Sequence, residues 1–130
     1  MYPSSFGQLC HDETNQKRFQ NSTAKLLRTV KNAFPGLQTH VTKNRGGIAV
    51  GGEVYLRLED AEKQRGVLVT VAPCGFSDRP DGVTCYLQHR LPDTRGKLTR
   101  LPVNVPNRTV EISENAIIAG IHRLLNEVLV

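Results

Sequence analysis

The chain contains no tryptophan, and aromatic residues make up only 5% of its 130 positions. A hydrophobic core must therefore consist mainly of aliphatic side chains. Cysteine is also scarce: the three residues of this type are odd in number and widely spaced. This pattern argues against a disulfide scaffold and favours a reducing compartment.

Long apolar stretches are missing as well. No run approaches the roughly 20 residues that a membrane-spanning helix needs. No signal-peptide pattern, in which an apolar segment precedes a cleavage site, is present at the start of the sequence. We therefore expect a cytoplasmic protein without a membrane partner.

The overall composition of the sequence is sufficient for a folded domain. Hydrophobic residues account for 38% and charged residues for 22% of the sequence, which is typical of globular rather than disordered proteins. A length of 130 residues suits one domain with one core. We predict a single domain over residues 13–130, preceded by a polar, loosely held arm over residues 1–12.

The charge balance is basic. The formal net charge is +5, and arginine outnumbers lysine by eleven to six. Because the arginine guanidinium matches the geometry of phosphates and carboxylates, this excess is compatible with a polyanionic partner. A basic solvated surface without a specific partner is the alternative explanation.

Apolar and polar residues alternate between Leu37 and Val103, which is typical of strands with one buried face. In the segment 48–58, one face carries Ile48, Val50, Val54, Leu56 and Leu58. The pattern predicts strands over residues 37–43, 48–58, 67–73, 83–91 and 97–103, with a sixth short strand over 105–112 as an open alternative. Turns rich in glycine, proline and aspartate separate them.

Turn residues set the expected pairing of these strands. A two-residue loop at positions 45–46 would place Val41 opposite Val50 and bring the apolar faces of both strands together. A proline-glycine turn before the fourth strand would place Cys85 opposite Ser77.

Two helices flank the strands. Apolar residues at helical spacing predict the first over residues 13–34, ended by Pro35 and Gly36. The second is predicted over residues 114–129, with Ser113 as its N-cap. The chain therefore predicts an α+β fold: an antiparallel meander of five or six strands, with the N-terminal and C-terminal helices packed on its one apolar face.

The opposite, open face of the sheet is the first candidate for function. Strand alternation places two tyrosines and three arginines on it, namely Tyr55, Arg57, Tyr86, Arg90 and Arg100. Aromatic rings and guanidinium groups on an open sheet can hold single-stranded nucleic acid, since every base has a face that stacks. Lys25, Arg28 and Arg45 are predicted to support phosphates from the first helix and the first turn. The alternatives are a protein-contact surface or a plain solvated face, because tyrosine is also an ordinary strand former.

The last helix supports a second hypothesis. Its apolar residues cover more than half of its circumference, which is wider than one sheet face requires. Either the helix is wedged between the sheet and the first helix, or it also forms a homodimer through Ile118, Ile121, Leu125 and Leu129. In the second case the chain would be a protein-interaction or assembly module.

A third hypothesis, a small hydrolase, has little motif support. Cys85 and His89 are separated by roughly 13 Å at ordinary strand rise, which is too far for a nucleophile and its base. Cys74, Cys85 and His89 lack the close spacing of a zinc site; His89 is expected at the core margin with a polar partner. We assign no catalytic residue, no metal and no cofactor. The leading hypothesis is a non-catalytic binding protein that contacts nucleic acid.

Overall fold

The computed structural model describes residues 13–43, 53–72, 84–101 and 108–127. In chain order, its elements are helix α1 (Glu13–Lys31), strands β1 (Gln38–Lys43), β2 (Val54–Asp60), β3 (Arg65–Ala72), β4 (Thr84–Pro92), β5 (Leu98–Arg100) and β6 (Arg108–Val110), and helix α2 (Glu114–Asn126). The predicted α+β architecture, two helices with one antiparallel sheet, is confirmed. The predicted arm over residues 1–12 lies outside the described residues.

Strands β1 to β5 follow one another as neighbours in a six-stranded antiparallel sheet. Strand β6 pairs with β4 and not with β5. Strand β5 pairs with the end of β4, at Leu91 and Pro92, whereas β6 pairs with its beginning, from Cys85 to Leu87. The two short strands therefore share one edge of β4, and the predicted meander ends in a divided edge strand.

The pairing of β1 with β2 differs from the expected hairpin. Val41 lies opposite Leu56 and not opposite Val50, and Lys43 lies opposite Val54. The connection is therefore longer than the predicted two-residue loop. Because the register is shifted by an even number of positions, the apolar face of β2 still meets the apolar face of β1. The predicted turn itself lies outside the described residues.

The expected register between β3 and β4 is also wrong. Cys85 lies opposite Val71 and not opposite Ser77, and Ser77 lies outside the described residues. Here too the change of register is even, so Cys85 keeps its predicted place on the core face. Cys85 is 1% exposed.

Both helices pack on the same face of the sheet, as predicted. Helix α1 contacts β1 and β2, helix α2 contacts β3, β4 and β6, and the helices contact each other. The core between them is mostly aliphatic, and its largest fully buried side chains include Phe19, Leu27, Leu56, Leu58, Leu87, Ile117, Ile121 and Leu124. Helix α2 begins at the predicted N-cap, because the hydroxyl of Ser113 accepts the N–H of Ala116 at 3.1 Å.

Helix α1 ends at Lys31, earlier than the predicted residue 34. The chain continues to turn beyond it, since the N–H of Phe34 donates to the carbonyl of Lys31 at 2.9 Å. Phe34 is buried, so the apolar stripe extends past the helix end. Within the described residues, neither helix combines the length and the hydrophobicity needed to cross a membrane.

Strand β3 is buried on both faces. Its three valines face the core as predicted, and on the opposite face Leu68 is 8% and Thr70 only 2% exposed. The prediction that this face is open is therefore wrong at the centre of the sheet. Thr70 lies between Tyr55 and Tyr86 in the register, and we attribute its burial to these longer neighbours.

Candidate functional site

A concave groove crosses four strands on the face opposite the helices. Its volume is about 640 Å³, and it is lined by His40 and Thr42 from β1, Tyr55 and Arg57 from β2, Leu68 from β3 and Arg90 from β4. Sites for small molecules ordinarily occupy roughly 300–1,000 Å³. We call the surface formed by these six residues the groove.

The strand register explains how the groove residues meet. His40 lies opposite Arg57, and Arg57 lies opposite Leu68, so these three form one row across the sheet. Thr42 and Tyr55 form the next row. Leu68 is buried and forms an apolar floor, because the side chains on the neighbouring strands extend beyond it.

The groove is electrostatically positive. Arg57 is exposed and Arg90 half-buried, and among the described residues no carboxylate forms an ion pair with either guanidinium. Burial lowers the pKa of Arg90, the charge of Arg57 lowers it further, and Tyr86 opposes the shift. Arg90 nevertheless stays charged, because an arginine guanidinium is not deprotonated in folded proteins. Within the described part of the chain, these two cations therefore have no carboxylate counter-ion.

The hairpin between β4 and β5 holds Arg90 in place. Nη1 of Arg90 donates to the carbonyl of Thr99 at 3.2 Å, and the Thr99 hydroxyl donates to Oδ2 of Asp93 at 2.9 Å. Oδ1 of Asp93 accepts the backbone N–H groups of Arg95 and Lys97 at 2.8 and 3.0 Å. The predicted turn is thus organised around the Asp93 carboxylate, which supports Arg90 through Thr99.

Gly66 provides space at the Arg90 end of the groove. It lies opposite Arg90 in the register. A Cβ on Gly66 would lie 2.8 Å from the carbonyl oxygen of Leu58 and 3.4 Å from Cδ1 of Leu98. The close backbone approach therefore requires glycine. Leu98 is 9% exposed and packs at this end of the sheet.

The groove contains three of the five open-face residues that sequence analysis selected for nucleic-acid binding, namely Tyr55, Arg57 and Arg90. Tyr86 lies across Thr70 from Tyr55 and does not line the groove. His40 and Thr42 line it but were not selected as site residues. The alternation of β1 placed both on this face, so the signal was present in the sequence.

Arg100 does not join the groove. The register shifts between Leu91 and Pro92, and Arg100 lies opposite Leu91, a residue of the core-face series. Its Nε donates to the carbonyl of Pro92 at 3.1 Å. Arg100 is therefore not among the groove residues, and the bulge in the β4–β5 pairing interrupts the alternation on which its assignment depended.

The structure does not bring the helix cations to the groove. Lys25 and Arg28 are exposed on α1, and α1 packs against the core face of β1 and β2. The two side chains therefore lie on the other side of the sheet from the groove. Arg45 lies outside the described residues.

The residues predicted to form a homodimer belong largely to the core of one chain. Ile121 is fully buried, Ile118 and Leu125 pack against the core while partly buried, and Leu129 lies outside the described residues. Since α2 contacts both the sheet and α1, its wedged position accounts for the wide apolar stripe. A homodimer through the exposed parts of Ile118 and Leu125 stays a prediction.

His89 and Cys85 are buried in the core. His89 is 5% exposed, and its Nε2 lies 3.0 Å from Oε2 of Glu127, which confirms the expected polar partner. Burial raises the pKa of the Cys85 thiol to about 12, so this thiol is protonated near neutral pH and is a weak nucleophile. In the described ranges, no three histidine, cysteine or acidic side chains form a group that could hold a metal ion.

Comparison of the chain with protein-family models, with curated proteins and with solved structures finds no match. The lining residues of the groove indicate which chemical groups it can bind. It offers two guanidinium groups to an anion, a phenol ring to a flat group, and an apolar floor between them.

Proposed function

We propose that this protein is a non-catalytic binding protein that holds single-stranded nucleic acid in the groove. The observation that carries the proposal is the placement of Arg57, Arg90 and Tyr55 around the apolar floor of Leu68. Phosphates bind cations and unpaired bases bind flat surfaces, and this face offers both. The net charge of +5 favours the approach of a polyanion.

The two arginines are suited to phosphate oxygens. Each guanidinium presents several N–H donors in a planar fork that matches a phosphate. Arg90 already donates to the carbonyl of Thr99, so it has less rotational freedom to lose when an anion binds. Because neither arginine has a carboxylate partner among the described residues, an incoming phosphate displaces no internal ion pair.

Tyr55 and Leu68 are suited to a base. Stacking of one base on an aromatic ring contributes about 1–3 kcal/mol, as judged by alanine substitution. His40 and Thr42 stand in the adjoining β1 positions of the groove and can exchange hydrogen bonds with base edges or sugar hydroxyls. The proposal includes a cytoplasmic location, which the free, buried thiol of Cys85 supports.

The first experiment compares two double variants that each remove two positive charges. Binding of a fluorescent single strand of about twelve nucleotides is followed by anisotropy. Arg57→Ala with Arg90→Ala is expected to weaken binding at least tenfold at an ionic strength of about 0.15 M. Lys25→Ala with Arg28→Ala, on the opposite side of the sheet, is expected to change it by no more than about threefold. Equal losses would mean that only net charge matters, and would contradict the proposal.

A second pair of variants tests the base contact. Tyr55→Ala removes the ring and is expected to weaken binding by roughly 5- to 100-fold, whereas Tyr55→Phe keeps the ring and should bind nearly as well as the wild type. If both substitutions weaken binding equally, the phenol hydroxyl rather than stacking matters; if neither weakens it, Tyr55 does not contact the ligand. Either outcome would show that the assigned role of Tyr55 is wrong. Urea unfolding of each variant establishes that the domain is folded.

A further inference from the structure

We infer that the groove accepts the phosphorylated end of a nucleic-acid strand, with the terminal phosphomonoester between Arg57 and Arg90. The inference rests on the proposed function and specifies which part of the strand the groove holds. An internal phosphodiester is the competing occupant, and the experiment below separates the two.

The charge of the site matches a phosphomonoester better than a phosphodiester. An internal phosphodiester carries one negative charge, whereas a phosphomonoester carries about −1.5 to −2 near pH 7. Among the described residues, the groove lining contains two arginines and no acidic residue. Glu59 lies on the same face of β2 as Arg57 but does not line the groove. Two cations in one groove, with no carboxylate partner among the residues that the structure describes, are best neutralised by a single dianionic group.

The two arginines approach each other from opposite sides of β3. Arg57 lies opposite Leu68, and Arg90 lies opposite Gly66, so β3 separates their strands. Two strand spacings and an offset of two residues along β3 correspond to roughly 12 Å between the Cα atoms of the two arginines. Both side chains nevertheless line the same groove above the Leu68 floor, and the charge of Arg57 contributes to the lowered pKa of Arg90. A small anion between them would contact both, while a base would extend toward Tyr55.

The β4–β5 hairpin lies at the Arg90 end of the groove. Behind Arg90, Leu98 packs beside Gly66, where the nearest approach of a Gly66 Cβ to the Leu98 side chain would be 3.4 Å. The carbonyl of Thr99 occupies one donor of Arg90 from the same side. We infer that a strand entering from the β1 side, past Thr42 and Tyr55, ends at Arg90, where the residues of the hairpin begin. A site that ends in this way is suited to a chain terminus rather than to a strand that passes through.

The experiment uses the wild-type protein and changes only the end of the ligand. One oligonucleotide sequence is prepared with a 5′-phosphate, with a 3′-phosphate and with hydroxyl groups at both ends, and binding is measured by competition at constant salt. We expect one of the two phosphorylated forms to bind at least about tenfold more tightly than the hydroxyl form. Arg90→Ala should remove this preference, whereas Lys25→Ala with Arg28→Ala should preserve it.

Other outcomes overturn the inference in distinguishable ways. Equal binding of all three oligonucleotides would leave the proposed function intact and would show that internal phosphates fill the groove. Competition by inorganic phosphate alone as strong as that of the phosphorylated oligonucleotide would show a phosphate site that does not recognise nucleic acid. If none of the three oligonucleotides binds, the proposed function itself fails.

Discussion

The buried ring of His89 lies 3.0 Å from the carboxylate of Glu127, measured from Nε2 to Oε2. His89 belongs to β4, and Glu127 is the C-cap of α2, where its backbone N–H donates to the carbonyl of Leu124. The other carboxylate oxygen of Glu127 pairs with Arg108 of β6. One carboxylate thus connects the end of the last helix to two strands, on the side of the sheet opposite the groove.

Removal of this carboxylate is expected to weaken the fold. In Glu127→Ala, the buried His89 loses its partner, and an unsatisfied buried polar group reduces the free energy of unfolding by about 1–3 kcal/mol. Urea unfolding measures the change. Glu62→Ala, at an exposed position of the β2–β3 loop, is the control and should leave the unfolding midpoint nearly unchanged. Equal midpoints for the two variants would show that the His89–Glu127 contact contributes nothing to stability.

Two glycines provide a matched test of packing near Arg90. Gly66→Ala would place a methyl group 2.8 Å from the carbonyl oxygen of Leu58, whereas a Cβ on Gly36 would meet nothing within 4 Å. Crowding of this kind typically reduces stability by about 1–3 kcal/mol. Gly36→Ala should leave stability equal or slightly higher, because alanine restricts the unfolded chain. If Gly66→Ala is as stable as Gly36→Ala, the backbone of β3 at Gly66 does not lie so close to the carbonyl of Leu58 in β2.

Asp93 is expected to contribute stability in a pH-dependent manner. The hydroxyl of Thr99 contributes most to the lowered pKa of this carboxyl group, followed by the N–H of Arg95. The folded-state pKa of Asp93 lies below its unfolded value of 3.8. The ionised carboxylate therefore stabilises the fold fully above about pH 3.8, and this stabilisation is lost as the pH falls through the folded-state pKa. The difference in urea midpoint between wild type and Asp93→Asn should therefore be constant near neutral pH and shrink in acid. A difference that does not change with pH would show that the Asp93 carboxylate is not stabilised in the folded state.

The thiol of Cys85 should be unreactive in the folded protein. Its pKa is raised to about 12 by burial, and its side chain is 1% exposed. In a Cys10→Ser, Cys74→Ser variant, Cys85 is the remaining thiol, and its reaction with a colorimetric thiol reagent should follow global unfolding. The rate should rise with urea in parallel with the unfolded fraction. Rapid reaction without urea would place Cys85 outside the core.

Local sequence signals predicted much of the fold. The alternation around Val54, Leu56 and Leu58 identified the buried face of β2, since side chains of a strand alternate regardless of its partner. Ser113 identified the start of α2, because an N-cap acts on the first turn alone. Both hairpin registers were wrong, because turn residues can suggest a tight turn without fixing how many residues the connection contains. An even shift kept the faces correct in each case.

The candidate site was less predictable, because it depends on the neighbours of each strand. The nearly continuous apolar run around Leu68 and Thr70 is typical of a strand buried on both faces. This run is the sequence signal that indicates the burial of the second face of β3. Arg100 was assigned by simple alternation, which a bulge interrupts. Lys25 and Arg28 were grouped with the sheet by charge alone, although a helix that packs on the core face directs its exposed side away from the groove.

Nucleic acid is proposed to bind on the side of the sheet that carries Arg57 and Arg90. The most direct test is an NMR titration of the isotope-labelled protein with a single-stranded oligonucleotide, in which arginine side-chain Nε–H and backbone amide signals are followed. The account predicts that the largest changes occur at Arg57, Arg90 and Tyr55, while the α1 signals around Lys25 and Arg28 stay nearly unchanged. Changes concentrated on α1, with the groove signals unmoved, would contradict it.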